Sequence, residues 1–275
     1  MSRPLRNILI VAAALIPIGI TLTILGFVFG GKTGWSFAFE NGKGNVRTEV
    51  MTETVDLREF DSLEVDVASV DVSVISGDSY TVEYKTRKGE EPEITEKNGK
   101  LVVKQPPKGM VMFDFSMGTD MDHYVITVPK EIKIDLVASS GDIEIDGVEV
   151  SGDIKASSGD ISLKDLKADK LDIKTSSGKI TLSGIKSEKL KCNSSSGDIM
   201  ITGSEADKVE CEASSGEVTV ELEGDEDDYS YDIDASSGSR MVNGTEYEDD
   251  FRSDAGGDKE IKVKTSSGDI EVSVK

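Results

Sequence analysis

The chain has 275 residues, of which 31 are Lys or Arg and 53 are Asp or Glu, so its formal net charge is −22. A surface this acidic argues against binding to nucleic acid or to anionic lipid, and it is compatible with cationic peptides, divalent ions or plain solvation. With two cysteines, no C-x-x-C spacing and one histidine, His123, catalysis by a Cys and His metal site is not expected.

The first predicted element is a membrane anchor. The segment 8–29 is apolar, and no charged residue lies between Arg6 and Lys32. That length is ample for a membrane helix, and Arg3 and Arg6 before it place the N-terminus in the cytoplasm. A cleaved signal peptide is the alternative, although the apolar core is longer than usual for one. We therefore expect a cytoplasmic stub and transmembrane helix over 1–31 of a single-pass cell-membrane protein.

A stalk and an ectodomain are expected to follow the anchor. Residues 32–60 are rich in glycine, and Trp35 and Phe37 suit the membrane interface. Regular alternation of apolar and polar residues then begins, so residues 61–275 are predicted to form the extracytoplasmic domain. Residues 85–124 interrupt the alternation and are predicted to be an irregular insertion.

The dominant pattern in the ectodomain is a repeated Ser-Ser-Gly tripeptide. Its glycines are separated by 18, 19, 19, 19, 22 and 30 residues, and a short fixed period indicates repeat architecture. Alternate positions on both sides of the tripeptide are apolar, which predicts short strands with one buried face. The glycines of the seven copies are Gly141, Gly159, Gly178, Gly197, Gly216, Gly238 and Gly268.

A unit of about 19 residues is too short for a helical crossover, which needs about 30 residues. The sequence therefore predicts an all-β, single-stranded parallel β-solenoid whose rungs of about 18–19 residues stack at about 4.8 Å. The handedness and cross-section of the coil stay open. One column of inward residues, the core ladder, is predicted to contain Ile154, Ile173, Cys192, Cys211 and Ile233.

The Ser-Ser-Gly tripeptide is interpreted as a structural corner. Glycine allows the backbone dihedrals that a sharp corner demands, and the serines can bond to the backbone and to the next rung. The competing hypothesis is cation binding, because an acid follows the glycine in most copies and stacked acids repel. Lys179 interrupts this row, and the calcium β-roll pattern is absent, so the structural interpretation is favoured.

Cys192 and Cys211 are 19 residues apart and are predicted to be inward neighbours on consecutive rungs. Their Cα atoms are then close enough for a disulfide, although in-register side chains point in parallel. The preferred interpretation is that both cysteines are buried free thiols and pack as small hydrophobic groups.

Two irregular segments are candidate sites. The first is the apolar segment 105–122, which lies within the irregular insertion. Its residues Met110, Met112, Phe113, Phe115 and Met117 form either a partner surface or a cap on the open end of the coil. The acidic loop Asp225, Glu226, Asp227 and Asp228 is a weak candidate for a cation site, and a solvated loop is preferred. The last rung, ending at Lys275, is expected to expose an unpaired edge that is open to self-association or to a partner strand.

The short membrane anchor, the "VITVPKEIKIDLVASSGDIEI" transition and the successive "SSGDI" rungs resemble the bacterial putative-adhesin family of β-strand repeat proteins, which includes LiaG-like proteins of Gram-positive envelope-stress operons. The resemblance covers roughly residues 60–275. It implies an extracytoplasmic β-solenoid that is adhesive or attached to envelope-stress signalling, and it brings no catalytic residues or cofactor.

Three function classes follow from these features. A noncatalytic, membrane-anchored adhesin or cell-envelope surface protein, with a glycan or an envelope protein as its partner, is preferred. The alternative is a regulatory component of an envelope-stress response that binds a membrane protein or a cationic peptide. A polysaccharide-active β-helix enzyme is least favoured, because the rungs from Gly141 to Gly216 are nearly free of loops and no pair of acids stands out.

Overall fold

The computed structural model describes residues 35–40, 43–47, 50–106, 111–115, 122–129 and 131–275. Within these ranges the regular structure is β apart from a 3-10 turn at Glu226–Asp228. No helix in them is long and apolar enough to span a membrane, and the apolar segment 8–29 lies outside them. The strands are β1 (Trp35–Glu40), β2 (Lys43–Arg47), β3 (Val50–Asp56), β4 (Ser62–Val67), β5 (Asp71–Ser76), β6 (Thr81–Arg87), β7 (Glu93–Lys97), β8 (Lys100–Lys104), β9 (Val111–Phe115), β10 (His123–Val128), β11 (Ile132–Ala138), β12 (Ile143–Asp146), β13 (Val150–Ala156), β14 (Ile161–Lys164), β15 (Lys167–Thr175), β16 (Ile180–Ser183), β17 (Lys186–Ser194), β18 (Ile199–Ser215), β19 (Val218–Leu222), β20 (Tyr229–Ala235), β21 (Arg240–Val242), β22 (Thr245–Tyr247), β23 (Phe251–Ser253), β24 (Lys259–Ser267) and β25 (Ile270–Val274).

The chain divides into two compact units. The smaller unit comprises residues 1–49 and 108–120, and its described part is a three-stranded antiparallel sheet in the order β2-β1-β9. The register between β1 and β9 shifts between Phe37 and Ala38, as at a β-bulge.

The larger unit comprises residues 50–107 and 121–275 and contains the Ser-Ser-Gly repeats. Each repeat, here called a rung, supplies one strand before the corner and one strand after it. Strands before the corner form sheet I, which runs β4-β11-β13-β15-β17-β18 through the regular rungs. Strands after it form sheet II, which runs β5-β12-β14-β16-β18-β19. The long strand β18 begins in sheet II and continues into sheet I, so it belongs to two successive rungs.

The pairing between regular rungs is parallel and in register at the repeat period. Ile154 pairs with Ile173, Ile173 with Cys192, and Cys192 with Cys211. After the corner, Ile161 pairs with Ile180 in the same way. Because strand side chains alternate between faces, this register places apolar residues in continuous columns between the two sheets.

The columns form one hydrophobic core that runs through the larger unit. Leu136, Ile154 and Ile173 of sheet I and Ile143 and Ile180 of sheet II are at most 1% exposed. Full burial of such a side chain stabilises the fold by about 1.5–3 kcal/mol, before entropic costs. The expectation of an all-β chain with mostly parallel, solenoid-like strands is confirmed.

The C-terminal rungs do not stack in sequence order. The last rung, β24–β25, lies between the rung of β18 and β19 and the rung of β20 and β21. The expected unpaired edge at the end of the chain is therefore wrong, since β25 pairs on both sides. The outermost rung, β20–β21, is instead flanked by the short antiparallel strands β23 and β22. Such strands protect a sheet end from further pairing.

The N-terminal end is reordered in a similar way. The first Ser-Ser-Gly-like rung, β4–β5, lies inside the stack, between β11–β12 and an outer rung made of β8 and β10. Antiparallel strands β7 and β6 pair with that outer rung, and β3 pairs with β6. The larger unit thus begins at Val50, which lies inside the segment 32–60 that was expected to be a stalk. Strands β6 to β8 and β10 also give regular structure to much of the segment 85–124.

Candidate binding face

The glycines of the Ser-Ser-Gly corners are required by close packing between rungs. A Cβ atom at Gly159 would lie 1.9 Å from the carbonyl oxygen of Gly141, and one at Gly178 would lie 1.9 Å from that of Gly159. Among the seven corner glycines, only Gly238 and Gly268 have a φ in the left-handed range, at 121° and 153°, and both belong to the reordered rungs. Backbone contact, more than the dihedrals expected from the sequence, therefore explains this glycine column.

The small residue three positions before each glycine is buried at the corner. In two of the regular rungs this residue has a hydroxyl that caps the corner, since Thr175 Oγ1 accepts from Gly178 N at 3.0 Å and Ser194 Oγ accepts from Gly197 N at 2.8 Å. The paired serines themselves are exposed, and their backbones continue the ladder, as from Ser158 N to the carbonyl of Ser139 at 2.9 Å.

The acid after the glycine has a structural function as well. Asp142 Oδ1 accepts a hydrogen bond from the amide of Asp160 at 2.8 Å, and Asp160 Oδ1 accepts from the amide of Lys179 at 2.7 Å. Asp198 accepts from the amide of Glu217 at 3.0 Å. Each aspartate thus satisfies a backbone donor on the following rung, where the turn interrupts the strand ladder. We call this row the aspartate ladder.

The aspartate ladder also includes the reordered C-terminal rungs. Asp269 Oδ1 accepts from both the amide and the hydroxyl of Ser239, at 2.8 and 2.9 Å, and these bonds lower the pKa of Asp269 below its ordinary value. Lys179 offers no acceptor to the next rung. Over the described residues, no group of three or more Asp, Glu, His or Cys side chains is placed to hold a metal ion.

The acidic loop is organised by its own backbone. Asp225 caps the 3-10 turn, because its Oδ1 accepts from the amide of Asp227 at 3.1 Å. Asp228 lies 3.6 Å from Lys259 Nζ, and that ammonium also lies 5.1 Å from the ring centroid of Tyr229. The four candidate acids therefore lie in a capped turn and do not converge on a single point.

The core ladder is largely in the predicted order. Cys192 and Cys211 are free, fully buried and in register, and hydrogen bonding between the thiols together with burial raises the pKa of Cys211. One difference follows from the reordered rungs. Val263 lies between Cys211 and Ile233, because β24 is inserted between β18 and β20.

The predicted partner surface falls mostly outside the described structure. Met110 and Met117 lie outside the described residues. Met112, Phe113 and Phe115 belong to β9, of which only the backbone is described, and Phe113 and Phe115 pair with Phe37 and Trp35. The contact surface expected at this segment stays a prediction.

The outer face of sheet I differs in charge from the rest of the protein. Three outward positions per rung alternate there with buried positions, and lysines and carboxylates are nearly balanced among them, although the chain as a whole is strongly acidic. The lysines are Lys100, Lys104, Lys133, Lys155, Lys170, Lys174, Lys189, Lys191, Lys208, Lys262 and Lys264, and the carboxylates are Glu64, Asp66, Asp135, Asp153, Asp172, Glu210, Glu212, Glu260, Asp232 and Asp234.

Ion pairs connect neighbouring rungs across this face. Lys191 Nζ lies 2.9 Å from Glu210 Oε1, one rung away, and Lys100 Nζ lies 2.6 Å from Glu64 Oε2. The hydrogen bond from Lys191 lowers the pKa of Glu210, and the same bond raises the pKa of Lys191. Because both partners are partly exposed, each pair adds little stability, and the main effect is to offset repulsion between stacked like charges.

Two long grooves border the face. The corner groove, about 650 Å³, runs beside the Ser-Ser-Gly corners and contains Lys174, Asn193, Glu212 and Lys264. The turn groove, about 600 Å³, runs along the opposite edge of sheet I and is more acidic. The carboxylates that line it are Glu149, Asp169, Glu188, Glu205, Asp207 and Glu223, and the lysines are Lys167, Lys186 and Lys259.

Sequence reasoning missed these grooves. The sequence does contain one signal for the corner groove. The residues four positions before each corner glycine lie side by side along one edge of sheet I. The reordering of the last two rungs hid it, because Glu212, Lys264 and Asp234 become neighbours only in space.

A model of the family described as Toastrack DUF4097 matches the chain over residues 60–239 and again over 133–273. No functionally curated protein matches it. Among solved structures, the chain is 20% identical to a putative cell adhesion protein from Clostridium sporogenes, covering 82% of this chain and 100% of that one with a TM-score of 0.38.

Two further solved structures are similar over the same share of this chain. A putative adhesin from Bacteroides fragilis is 13% identical and is covered over 97% of its length, with a TM-score of 0.47. A putative lipid binding protein from Parabacteroides distasonis is 18% identical and is covered over 96%, with a TM-score of 0.45.

Proposed function

The chain belongs to the Toastrack DUF4097 family, and from that premise we propose that it is a noncatalytic, membrane-anchored surface protein that binds an extracytoplasmic partner in the manner of an adhesin. The sequence was predicted to belong to a repeat family of adhesin-like proteins, and this family membership confirms that prediction. Because a fold does not determine function, the proposal rests on the chemistry of one face.

The observation that carries the proposal is the outer face of sheet I. It is charge-balanced on a protein of net charge −22, and a long groove borders each of its edges. A partner that approaches elsewhere meets excess negative charge, whereas this face offers ammonium, carboxylate and hydroxyl groups in regular rows. An elongated partner with repeating polar groups suits such a surface.

The noncatalytic part of the proposal rests on what the charged groups already do. Asp142 and Asp160 accept amides of the next rung, and Lys191 pairs with Glu210. Groups held in this way stabilise the stacking of the rungs, and this structural use supports a noncatalytic function. No cofactor is proposed.

The membrane-anchored, single-pass topology rests on sequence. The uncharged segment 8–29 follows Arg3 and Arg6, so the positive-inside rule keeps the N-terminus in the cytoplasm and exports residues 32–275. On an exported protein, an acidic surface disfavours nucleic acid as a partner and keeps a repeat protein soluble.

Crosslinking with mass spectrometry in intact cells that produce the full chain tests the proposal. We expect lysines of the outer face of sheet I, such as Lys174 and Lys191, to react with a membrane-impermeant reagent and to link to surface glycan or to an extracellular ligand. Links only to a membrane signalling protein would support the envelope-stress regulator instead. Cleavage of any glycan in a panel by the purified protein would overturn the noncatalytic assignment.

A further inference from the structure

We propose that the corner groove binds an extended polysaccharide that carries free amino groups. This inference rests on the proposed function, because it names a partner class for the same face. It is carried by the order of charges along the groove and by polar groups that have no partner inside the protein.

The groove is an ordered row of side chains with one member from each of six rungs. Successive members are Cα partners in the parallel sheet, so each step is about 4.8 Å and the row extends over roughly 24 Å. In spatial order the row is Lys155, Lys174, Asn193, Glu212, Lys264 and Asp234.

The two halves of the row differ in how their charges are used. Lys155 and Lys174 are paired within their own strands, at 3.2 Å from Asp153 and 3.4 Å from Asp172. In the other half, Glu212, Lys264 and Asp234 alternate in sign, and in the part of the chain that the structure describes none has an ion pair within 4.0 Å. Two carboxylates and one ammonium are therefore available to a ligand.

Polar atoms without partners lie in the same stretch. Thr265 lines the groove, is only 4% exposed, and its Oγ1 has no hydrogen-bond partner. The equivalent hydroxyl of Thr175 caps Gly178, but Gly268 N donates to Ser237 O at 3.1 Å, which leaves the Thr265 hydroxyl unused. The Nδ2 atom of Asn193 is also buried without a partner. Buried polar groups of this kind require explanation, and a ligand supplies one.

An amino-bearing glycan fits these groups. Its ammonium groups would donate to Glu212 and Asp234, while Lys264 and Asn193 would donate to its hydroxyl and ring oxygens. The exposed serines of the corners can both donate and accept. The net charge of −22 attracts such a chain at long range and repels an anionic one.

A cationic peptide fits the groove less well. Extended peptides bind by adding a strand to a free sheet edge or by filling apolar pockets. Along the groove the backbone is already bonded between rungs, as from Ser195 N to Thr175 O at 3.3 Å and from Ser215 N to Ser195 O at 3.0 Å. The lining is polar, so it favours hydroxyl-rich ligands.

Isothermal titration of the full chain in detergent micelles tests the proposal with three oligosaccharides of equal length. Chitosan, chitin and cellulose oligomers share a β-1,4 backbone and differ at C2, which carries an amine, an acetamide or a hydroxyl. We expect the chitosan oligomer to bind at least about tenfold more tightly than the other two, because only it gives charge-assisted bonds to both carboxylates. Equal or tighter binding of the chitin or cellulose oligomer would overturn the proposal.

Matched variants separate the groove from general electrostatics. The double variant Glu212→Gln with Asp234→Asn should weaken chitosan binding by about tenfold or more. The control Glu144→Gln with Glu271→Gln removes the same charge from exposed positions on sheet II and should change affinity by less than about twofold. Equal losses in both double variants would show nonspecific attraction and would contradict the assignment. Tighter binding of an oligolysine peptide, with the same dependence on Glu212 and Asp234, would favour a peptide ligand instead.

A further variant tests the unpartnered hydroxyl. Thr265→Val removes a polar group without changing the charge, so it should preserve or raise stability while weakening chitosan binding by about threefold or more. Unchanged binding would remove Thr265 from the site. If no oligosaccharide binds, but crosslinking in cells identifies a surface ligand elsewhere on the protein, the glycan inference fails while the proposed function stands.

Discussion

Asp142 Oδ1 accepts a hydrogen bond from the backbone amide of Asp160 at 2.8 Å, which ties each rung to the next at a place where the strands are interrupted. Asp142→Ala should lower the free energy of unfolding by about 1 kcal/mol, because it removes one charge-assisted bond at an exposed amide. Asp142→Asn keeps an acceptor and should cost less. Urea denaturation is the measurement, with Glu144→Ala, an exposed change on sheet II, as the control. Equal effects of the Ala and Asn variants would contradict the ladder.

The gap in the aspartate ladder at Lys179 can be filled. Lys179→Asp should stabilise the fold relative to Lys179→Glu by about 0.5–1 kcal/mol, because the shorter carboxylate can reach the amide of Asp198. Both variants make the same charge change, so repulsion from Asp160 and Asp198 is matched. Urea midpoints at physiological salt provide the comparison, and a more stable Glu variant would show that the geometry of the ladder is not the cause.

Gly159→Ala should destabilise the protein by about 3 kcal/mol or more, since its Cβ would lie 1.9 Å from the carbonyl oxygen of Gly141 and two rungs must separate to admit it. Ser158→Ala, at the exposed neighbouring position, should change stability by less than about 0.5 kcal/mol. Thermal unfolding of both variants tests this. A tolerated Ala at residue 159 would mean that the rungs are not in backbone contact at the corner.

The pairing of Glu210 with Lys191 predicts a particular response to acid. Because the folded-state pKa of Glu210 is lowered from 4.5, its contribution to stability is present above that pH and is lost as the pH falls through the folded-state pKa. The stability difference between the native protein and Glu210→Gln should therefore shrink on going from about pH 7 to about pH 3. Urea midpoints across that range measure it, and a constant difference would exclude the pairing as the cause.

The buried thiols predict selective reactivity. Cys192 and Cys211 are both fully buried and free, and the raised pKa of Cys211 reduces its thiolate fraction further. Native protein should react with a thiol reagent only on the timescale of unfolding, and two thiols should titrate at once in denaturant. Detection of a Cys192–Cys211 disulfide in native protein by mass spectrometry would be the opposite result.

The sequence predicted the structure well only where the repeats are regular. From Gly141 to Gly216 the inward residues recur every 18 or 19 positions, and hydrophobic burial alone then fixes the register. The same regularity predicts Cys192 beside Cys211, and the structure places them there. The function of the aspartates was not predicted, because a carboxylate that accepts an amide and one that binds a cation have the same sequence signature.

The ends of the coil were not predictable in the same way. At each end, irregular residues let one rung insert inside another, and the sequence contains no local signal for which neighbour a rung will choose. Val263 therefore separates Cys211 from Ile233, and Lys264 separates Glu212 from Asp234. The candidate groove depends on this long-range order and so could not be derived from periodicity.

The last rung inserts between two earlier ones and so assembles the corner groove. Disulfide formation tests it directly, in a chain whose native cysteines are replaced by Val. Glu212→Cys with Lys264→Cys should crosslink on oxidation, because these register neighbours lie about 4.8 Å apart and face outward, where an oxidant reaches them, unlike the buried Cys192 and Cys211. Glu212→Cys with Asp234→Cys should not, because two rungs span about 9.6 Å, beyond the reach of a disulfide. Crosslinking of residues 212 and 234 but not of 212 and 264 would show that the rungs stack in sequence order and would contradict the insertion of the last rung.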